Sequence, residues 1–186
     1  MAPADPARGQ GAEIGVTVGQ SVFTKDAVGT LPVFDGPDQE VSLRDGVRIG
    51  ARLSVNSWEF LGHELSYAYQ RSGLNFGEQD QGSMTVQNFY YNFVVHATRQ
   101  GTVVRPLVTA GGGFSSFFPP GFSSFSGAGD TEFGYNYGAG LKIKLTEIYG
   151  IRFDVRDYVT GKPFDLTNSS GGLHNLEYSA GFSLLF

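Results

Sequence analysis

At 186 residues, with 40% hydrophobic side chains and a mean hydropathy of −0.13, the chain is sized for one domain, and it has no apolar run of membrane-helix length. A formal net charge of −5 leaves no basic surface for nucleic acid, and the absence of cysteine excludes a disulfide framework, a thiol nucleophile and a thiolate metal site. The opening Met1-Ala2-Pro3-Ala4-Asp5-Pro6 has neither a basic nor an apolar export region. The chain is therefore expected to be a mature form with an added start methionine, residues 1–11 forming a flexible lead into one domain over 12–186.

From Ala12 onward the dominant signal is alternation with a period of two, the signature of strands with two unlike faces. The first strand, Ala12 to Phe23, sets Ile14, Val16 and Val18 against Glu13, Gly15, Thr17 and Gly19, then blurs. Between Gly46 and Asn56, Val47, Ile49, Ala51, Leu53 and Val55 oppose Arg48, Gly50, Arg52 and Ser54. The next strand opposes Leu61, His63, Leu65, Tyr67 and Tyr69 to Gly62, Glu64, Ser66, Ala68 and Gln70. Phe89, Tyr91, Phe93 and Val95 then alternate with Asn88, Tyr90, Asn92 and His96. The fifth strand, Val103 to Phe114, holds Pro106 and Gly111-Gly112-Gly113, which predict a bulge or bend. Phe133 to Leu145 alternates with Gly134, Asn136, Gly138, Gly140, Lys142 and Lys144; Tyr149 to Val155 alternates with Gly150, Arg152, Asp154 and Arg156. The last strand opposes Leu176, Tyr178, Ala180, Phe182, Leu184 and Phe186 to Glu177, Ser179, Gly181, Ser183 and Leu185.

The connections alternate in length. Long ones are expected at Thr24 to Ser42, Arg71 to Ser83, Ser115 to Glu132 and Gly161 to Leu173, and short ones at residues 57–60, 99–102 and 146–148. Eight strands with both termini on the tight-turn rim predict an all-β, eight-stranded, antiparallel up-and-down transmembrane β-barrel. The glycine-rich face is the one that fits a narrow lumen, and only a sheet without edges satisfies its backbone in hydrocarbon. The apolar face is thus expected outward. The lumen is expected to hold a charge network of Glu13, Arg48, Arg52, Glu64, Lys142, Lys144, Arg152, Asp154, Arg156 and Glu177, of mixed sign because unpaired charge in a confined space is costly.

The chain ends Ser179-Ala180-Gly181-Phe182-Ser183-Leu184-Leu185-Phe186. Ser179, Gly181, Leu184 and Phe186 fill the polar, glycine, apolar and terminal aromatic positions of the outer-membrane assembly signal, and from about Ala12 to Phe186 the chain resembles small outer-membrane barrels of the OmpA/OmpX type and the broader porin-like families. That resemblance implies a bacterial outer membrane, contact with its lipids and lipopolysaccharide, and recognition of the last strand by the barrel-assembly machinery. It does not fix a function, because the same barrel hosts anchors, adhesins, channels and enzymes. No periplasmic domain is expected after Phe186.

Catalytic chemistry finds little support. Acyl transfer needs a nucleophile, a histidine and an orienting carboxylate within reach. His63 and His96 lie beside the short-turn rim; His174 follows Ser169-Ser170-Gly171-Gly172 on the long-loop side. The nearest approach to a His, any, Ser pattern is His96-Ala97-Thr98, without the serine. Asp35, Asp38, Glu40 and Asp45 read as a hydrated acidic loop rather than a cation site. Neither metal nor cofactor is expected, and no enzyme. Phe114, Phe117, Phe118, Phe122 and Phe125 around Pro119-Pro120 stand out as surface-loop aromatics, fit to cover the barrel mouth, bind a partner or extend the interfacial girdle. The expected function is structural or surface-interacting, with a largely plugged polar lumen; the alternatives are a narrow porin-like channel for small solutes and a lipid-modifying barrel enzyme.

Overall fold

The computed structural model describes residues 11–25, 27–31, 38–76, 79–120, 129–165 and 171–186. The lead segment 1–11 lies outside them except for Gly11, whose carbonyl accepts the Asn56 N–H at 2.9 Å. The strands are β1 (Ala12–Lys25), β2 (Ala27–Leu31), β3 (Gln39–Asn56), β4 (Leu61–Phe76), β5 (Gln79–His96), β6 (Val104–Phe118), β7 (Asp130–Lys144), β8 (Tyr149–Thr160) and β9 (Leu173–Leu185). All pairings are antiparallel, each strand from β2 to β8 pairs with the next in the chain, and β1 pairs with β3 and with β9, which closes the sheet. β1 follows β3 as far as Ser21 opposite Gly46, and β2 continues along the same strand from Ala27 opposite Ser42. The two are successive parts of one stave, so the architecture is a closed eight-stranded barrel with β2 as an extra short strand. At the seam the Phe186 N–H donates to the Ala12 carbonyl at 2.9 Å, and the Ala12 N–H donates back at 3.4 Å.

The outer wall is apolar. Val16, Val47 and Phe133 are each more than 60% exposed, and Ile49, Phe93, Val108, Tyr135 and Phe153 stand in the same outward set. A continuous apolar belt of this kind is untenable in water and is what hydrocarbon demands. The opposite face is buried in the lumen: Glu13, Arg48, Arg52, Glu64, Asn92, Asn136, Arg152, Asp154, Arg156 and Glu177.

Toward the long-loop rim this code reverses. Phe23, Val28, Val41, Leu43, Leu74, Met84, Val86, Phe117 and Leu173 point inward and form an apolar cluster. Arg44, Arg71 and Thr131 point outward and are exposed, as is Gln20. The sheet here has water on its outside rather than lipid, so the apolar residues move to the inside, as in a soluble barrel. The exchange falls between Val18 and Gln20 on β1, between Tyr69 and Arg71 on β4, and between Phe133 and Thr131 on β7. It marks the outer edge of the hydrocarbon.

Three expectations are corrected by this reversal and by the register. Parts of three of the four expected long connections are strand: β2 and the start of β3 fall within Thr24 to Ser42, β4 runs to Phe76 and β5 starts at Gln79, and β6 runs to Phe118, whereas β8 ends at Thr160 and β9 starts at Leu173. The frame was lost where the apolar residues change face. Of the expected loop aromatics, Phe114 lies in the outward belt, whereas Phe117 and Phe118 are buried strand residues; Phe122 and Phe125 lie outside the described residues. Finally, β6 has no bulge at Pro106 or Gly111-Gly112-Gly113, since its register runs unbroken against both β5 and β7. The glycines provide room instead: a Cβ on Gly113 would sit 2.8 Å from Cγ of Tyr90, and one on Gly134 would sit 2.6 Å from its hydroxyl. The shifts in register occur at Phe23/Lys25, Ala27/Gly29, Leu43/Gly46 and Gly73/Asn75, all near the zone where the faces exchange.

Candidate functional site

The lumen is filled in three strata. At the membrane level, adjacent strands aim long polar side chains across a narrow interior, and small residues opposite make space for them. Gly138 is one such position, where a Cβ would meet the Val155 carbonyl oxygen at 2.3 Å and Arg156 Cγ at 2.7 Å. Arg52, Arg152 and Arg156 each bridge both Glu64 and Asp154. Arg52 Nε reaches Glu64 at 3.2 Å and its Nη1 donates to Asp154 at 3.0 Å. Arg152 reaches Glu64 and Asp154 at 2.8 Å each. Arg156 reaches them at 2.8 and 3.2 Å. Guanidinium forks match carboxylates in this bridging geometry. Asn92 donates to Glu64 at 3.4 Å and accepts from Asn136 at 2.6 Å, extending the network around the wall.

Nearer the inner rim, Lys142 donates to Glu13. Arg105, on β6 opposite Lys142, reaches across the mouth and donates to the Glu59 carbonyl at 3.1 Å. The sequence reading omitted Arg105. Yet Arg105, Leu107, Thr109, Gly111, Gly113 and Ser115 alternate with Pro106, Val108, Ala110, Gly112 and Phe114, and that frame places Arg105 inside. Lys144, by contrast, is not part of the lumen network: it lies at the rim and donates to Glu147 in the β7–β8 turn at 2.6 Å.

The middle stratum is amide and aromatic. Arg48 pairs with Glu177 at 3.0 Å, and its Cζ lies 4.4 Å from the ring centroid of Tyr158. Tyr90 packs edge-on to Tyr158 at 5.0 Å and shares a 2.9 Å hydrogen bond with Ser115, which donates to Asn88 at 2.7 Å. Asn175 donates to Gln70 at 2.9 Å and accepts from Ser21. The outermost stratum is the apolar cluster, against which Phe164 of the β8–β9 connection packs. Phe164 adopts φ 72°, a costly conformation for a bulky residue, and its N–H is held by the Asp130 carboxylate. Phe164 is thereby fastened against the apolar cluster.

The histidines are dispersed. His63 is on the outer wall, 2.5 Å from the Tyr91 hydroxyl; His96 is buried at the inner mouth. His174 stands on the outer wall with Nδ1 2.8 Å from Asp157 Oδ2, the same oxygen that accepts the Tyr137 hydroxyl at 2.9 Å. Ser169 and Ser170 lie outside the described residues, as does Asp35. Among the described residues no three His, Asp or Glu side chains gather as a metal site. In the terminal motif, Leu184 and Phe186 face outward with Phe182, while Ser179 and Gly181 face the lumen in full pairing with β1 and β8.

A closed antiparallel barrel with an outward apolar belt and an inward ionic core defines a transmembrane β-barrel of the bacterial outer membrane. Residues 1–186 match the family described as outer membrane protein beta-barrel domain, and the chain belongs to it. Among solved structures it is similar to Neisserial surface protein A, at 12% identity over 94% of this chain and 97% of that one, with a TM-score of 0.66. It is also similar to the outer membrane protein OprG from Pseudomonas aeruginosa (14% identity, 96% and 97% covered, TM-score 0.67). The N-terminal β-barrel domain of Pseudomonas aeruginosa OprF is a third (16% identity, 95% and 99% covered, TM-score 0.54). A comparison with curated protein sequences finds no match.

Proposed function

We propose that the protein is a non-catalytic outer-membrane barrel whose lumen is closed and whose role is carried by the water-exposed collar and connections at its outer rim. The observation behind this reading is the stacking of three filled strata along one axis. A solute entering from outside meets Phe164 and the apolar cluster, then the Tyr90 and Tyr158 layer, then arginines each fixed by two carboxylates. An eight-stranded barrel is just wide enough to be filled by its own side chains. The outer-membrane lipids and lipopolysaccharide surround the belt, and the exposed Arg44 and Arg71 stand at the level of their headgroups. The last strand serves as the handle for the assembly machinery. Planar-bilayer recording tests the closed lumen: the purified barrel inserts without steady single-channel openings, and a reproducible unitary conductance overturns the reading in favour of a narrow solute channel.

A further inference from the structure

The strands alone make the apolar belt too short. Its outward rows run from Val47 to Val55 on β3 and from Leu61 to Tyr69 on β4, nine residues each. A strand rising about 3.3 Å per residue and tilted by about 40° lifts such a row by about 20 Å. The apolar band of an outer-membrane barrel is about 25 Å tall. The outer end does not supply the difference, because Arg71 follows Tyr69 on the outward face and the faces exchange there. What remains is the short-turn rim.

All three tight turns carry bare apolar side chains: Trp58 and Phe60 between β3 and β4, Val103 between β5 and β6, and Leu145 and Ile148 between β7 and β8. Trp58 is 66% exposed and Val103 61%, as bare as the belt residues Phe133 and Val16. The backbone of these turns is satisfied from within. The Ser57 and Trp58 N–H groups donate to the Leu61 carbonyl at 3.0 and 3.1 Å, and those of Leu145 and Thr146 donate to the Tyr149 carbonyl at 2.9 and 3.1 Å. The Thr146 hydroxyl accepts the Ile148 and Tyr149 N–H groups at 3.2 and 3.0 Å, and the Ile148 carbonyl accepts the Leu185 N–H at 2.8 Å. In the β5–β6 turn the Thr102 N–H and hydroxyl both donate to the Arg99 carbonyl, and the Val103 carbonyl accepts the Lys144 N–H. Internal pairing of this kind is what a backbone needs where water is scarce. The charges of the rim oppose one another, Arg99 with Glu59 at 3.4 Å and Lys144 with Glu147 at 2.6 Å. They cancel in sum, and long charged side chains reach water from an apolar surface by extending their stems.

We propose that the short-turn rim is a lipid-binding surface, with the turns of Trp58, Phe60, Val103, Leu145 and Ile148 sunk into the inner leaflet, where they complete the belt. The occupant is the interfacial and acyl region of a phospholipid leaflet, because the surface is continuous with the belt, apolar and without net charge. The inference goes beyond the closed-lumen reading and does not depend on it, since it concerns the rim opposite the outer collar.

Trp58 is the sole tryptophan of the chain and therefore reports the rim without a label. The full chain is folded in vesicles of dioleoylphosphatidylcholine, or of the same lipid dibrominated toward the headgroup end of its acyl chains. A tryptophan seated at the membrane interface loses about half or more of its emission to the bromines. Aqueous acrylamide quenches Trp58 in the folded protein several-fold less than in the urea-unfolded chain. The variants W58F/V103W and W58F/I148W move the reporter to the other two turns, and each that folds on unboiled gels shows the same loss. Unchanged Trp58 emission in brominated lipid, with acrylamide quenching equal to that of the unfolded chain, overturns the proposal. It is the result for a rim that stands in water or is kept for a soluble partner. A loss confined to Trp58, with the moved reporters quenched by acrylamide as in the unfolded chain, overturns it as well, since one ring lying back on the membrane then accounts for the wild-type signal.

Discussion

Replacing Glu64 by glutamine isolates charge from shape in the lumen. The side chain is 1% exposed and touches three guanidinium groups at 2.8 to 3.2 Å through Arg52, Arg152 and Arg156. Glutamine has the same outline but turns one oxygen into an amide donor facing guanidinium donors. Asp154 is then left as sole carboxylate among three arginines. Removing one partner from a buried ion pair costs about 3–5 kcal/mol. At an m-value of about 2 kcal/mol/M the urea midpoint of E64Q therefore falls by about 1.5–2.5 M. The folded fraction is read in vesicles from the mobility of unboiled protein on gels, with K144Q as reference. Lys144 pairs with the 88% exposed Glu147 side chain, and that change stays within about 0.5 kcal/mol. A fall smaller than about 0.5 M in E64Q would show that water screens the network. That result would refute both the dry ionic stratum and the closed lumen argued from it.

Three other outcomes follow from the same geometry. Phe117→Ala, which empties a site within the outer apolar cluster, costs about 3–5 kcal/mol in the same urea assay; a cost below 1 kcal/mol would mean that the collar is not a packed core. Val16→Arg destabilises by about 2–4 kcal/mol and Gln20→Arg by at most about 1, because the first lies in hydrocarbon and the second at its edge; equal costs would misplace the boundary. Gly138→Val yields little folded protein on unboiled gels, since its Cβ would overlap the Val155 carbonyl; a normal folded yield would show that the β7–β8 wall has space to spare.

The membrane belt was legible because one rule governs it. Val47 to Val55 and Leu61 to Tyr69 keep every second residue apolar, and no helix or soluble sheet with a bulky interior accounts for arginine and glycine on the other face. The outer halves of the strands were not legible by that rule. Gln20, Arg71 and Thr131 break the outward apolar row while Phe23, Leu74 and Phe117 enter the inward row, so a reader holding one frame sees irregular loop where the ladder continues. The charge network was read from its faces alone. Parity placed Glu64, Arg152 and Asp154 together, but it could not show that Lys144 stands beyond the lumen, nor that each of three arginines reaches two carboxylates. Arg105 is hard to place from sequence because Pro106 and Gly111-Gly112-Gly113 interrupt the strand pattern around it.

The reversal also explains where the charges are put. At the level of the apolar belt, lipid outside and close-packed side chains inside leave no water to solvate an ion, so charge there must be met by fixed partners, and the bridging arginines provide them. Higher up, water bathes the outer wall, apolar side chains fill the interior, and buried charge is unnecessary. Arg105, which has no ion pair among the described residues, sits at neither of these levels but at the inner mouth, where it donates to the Glu59 carbonyl of the β3–β4 turn.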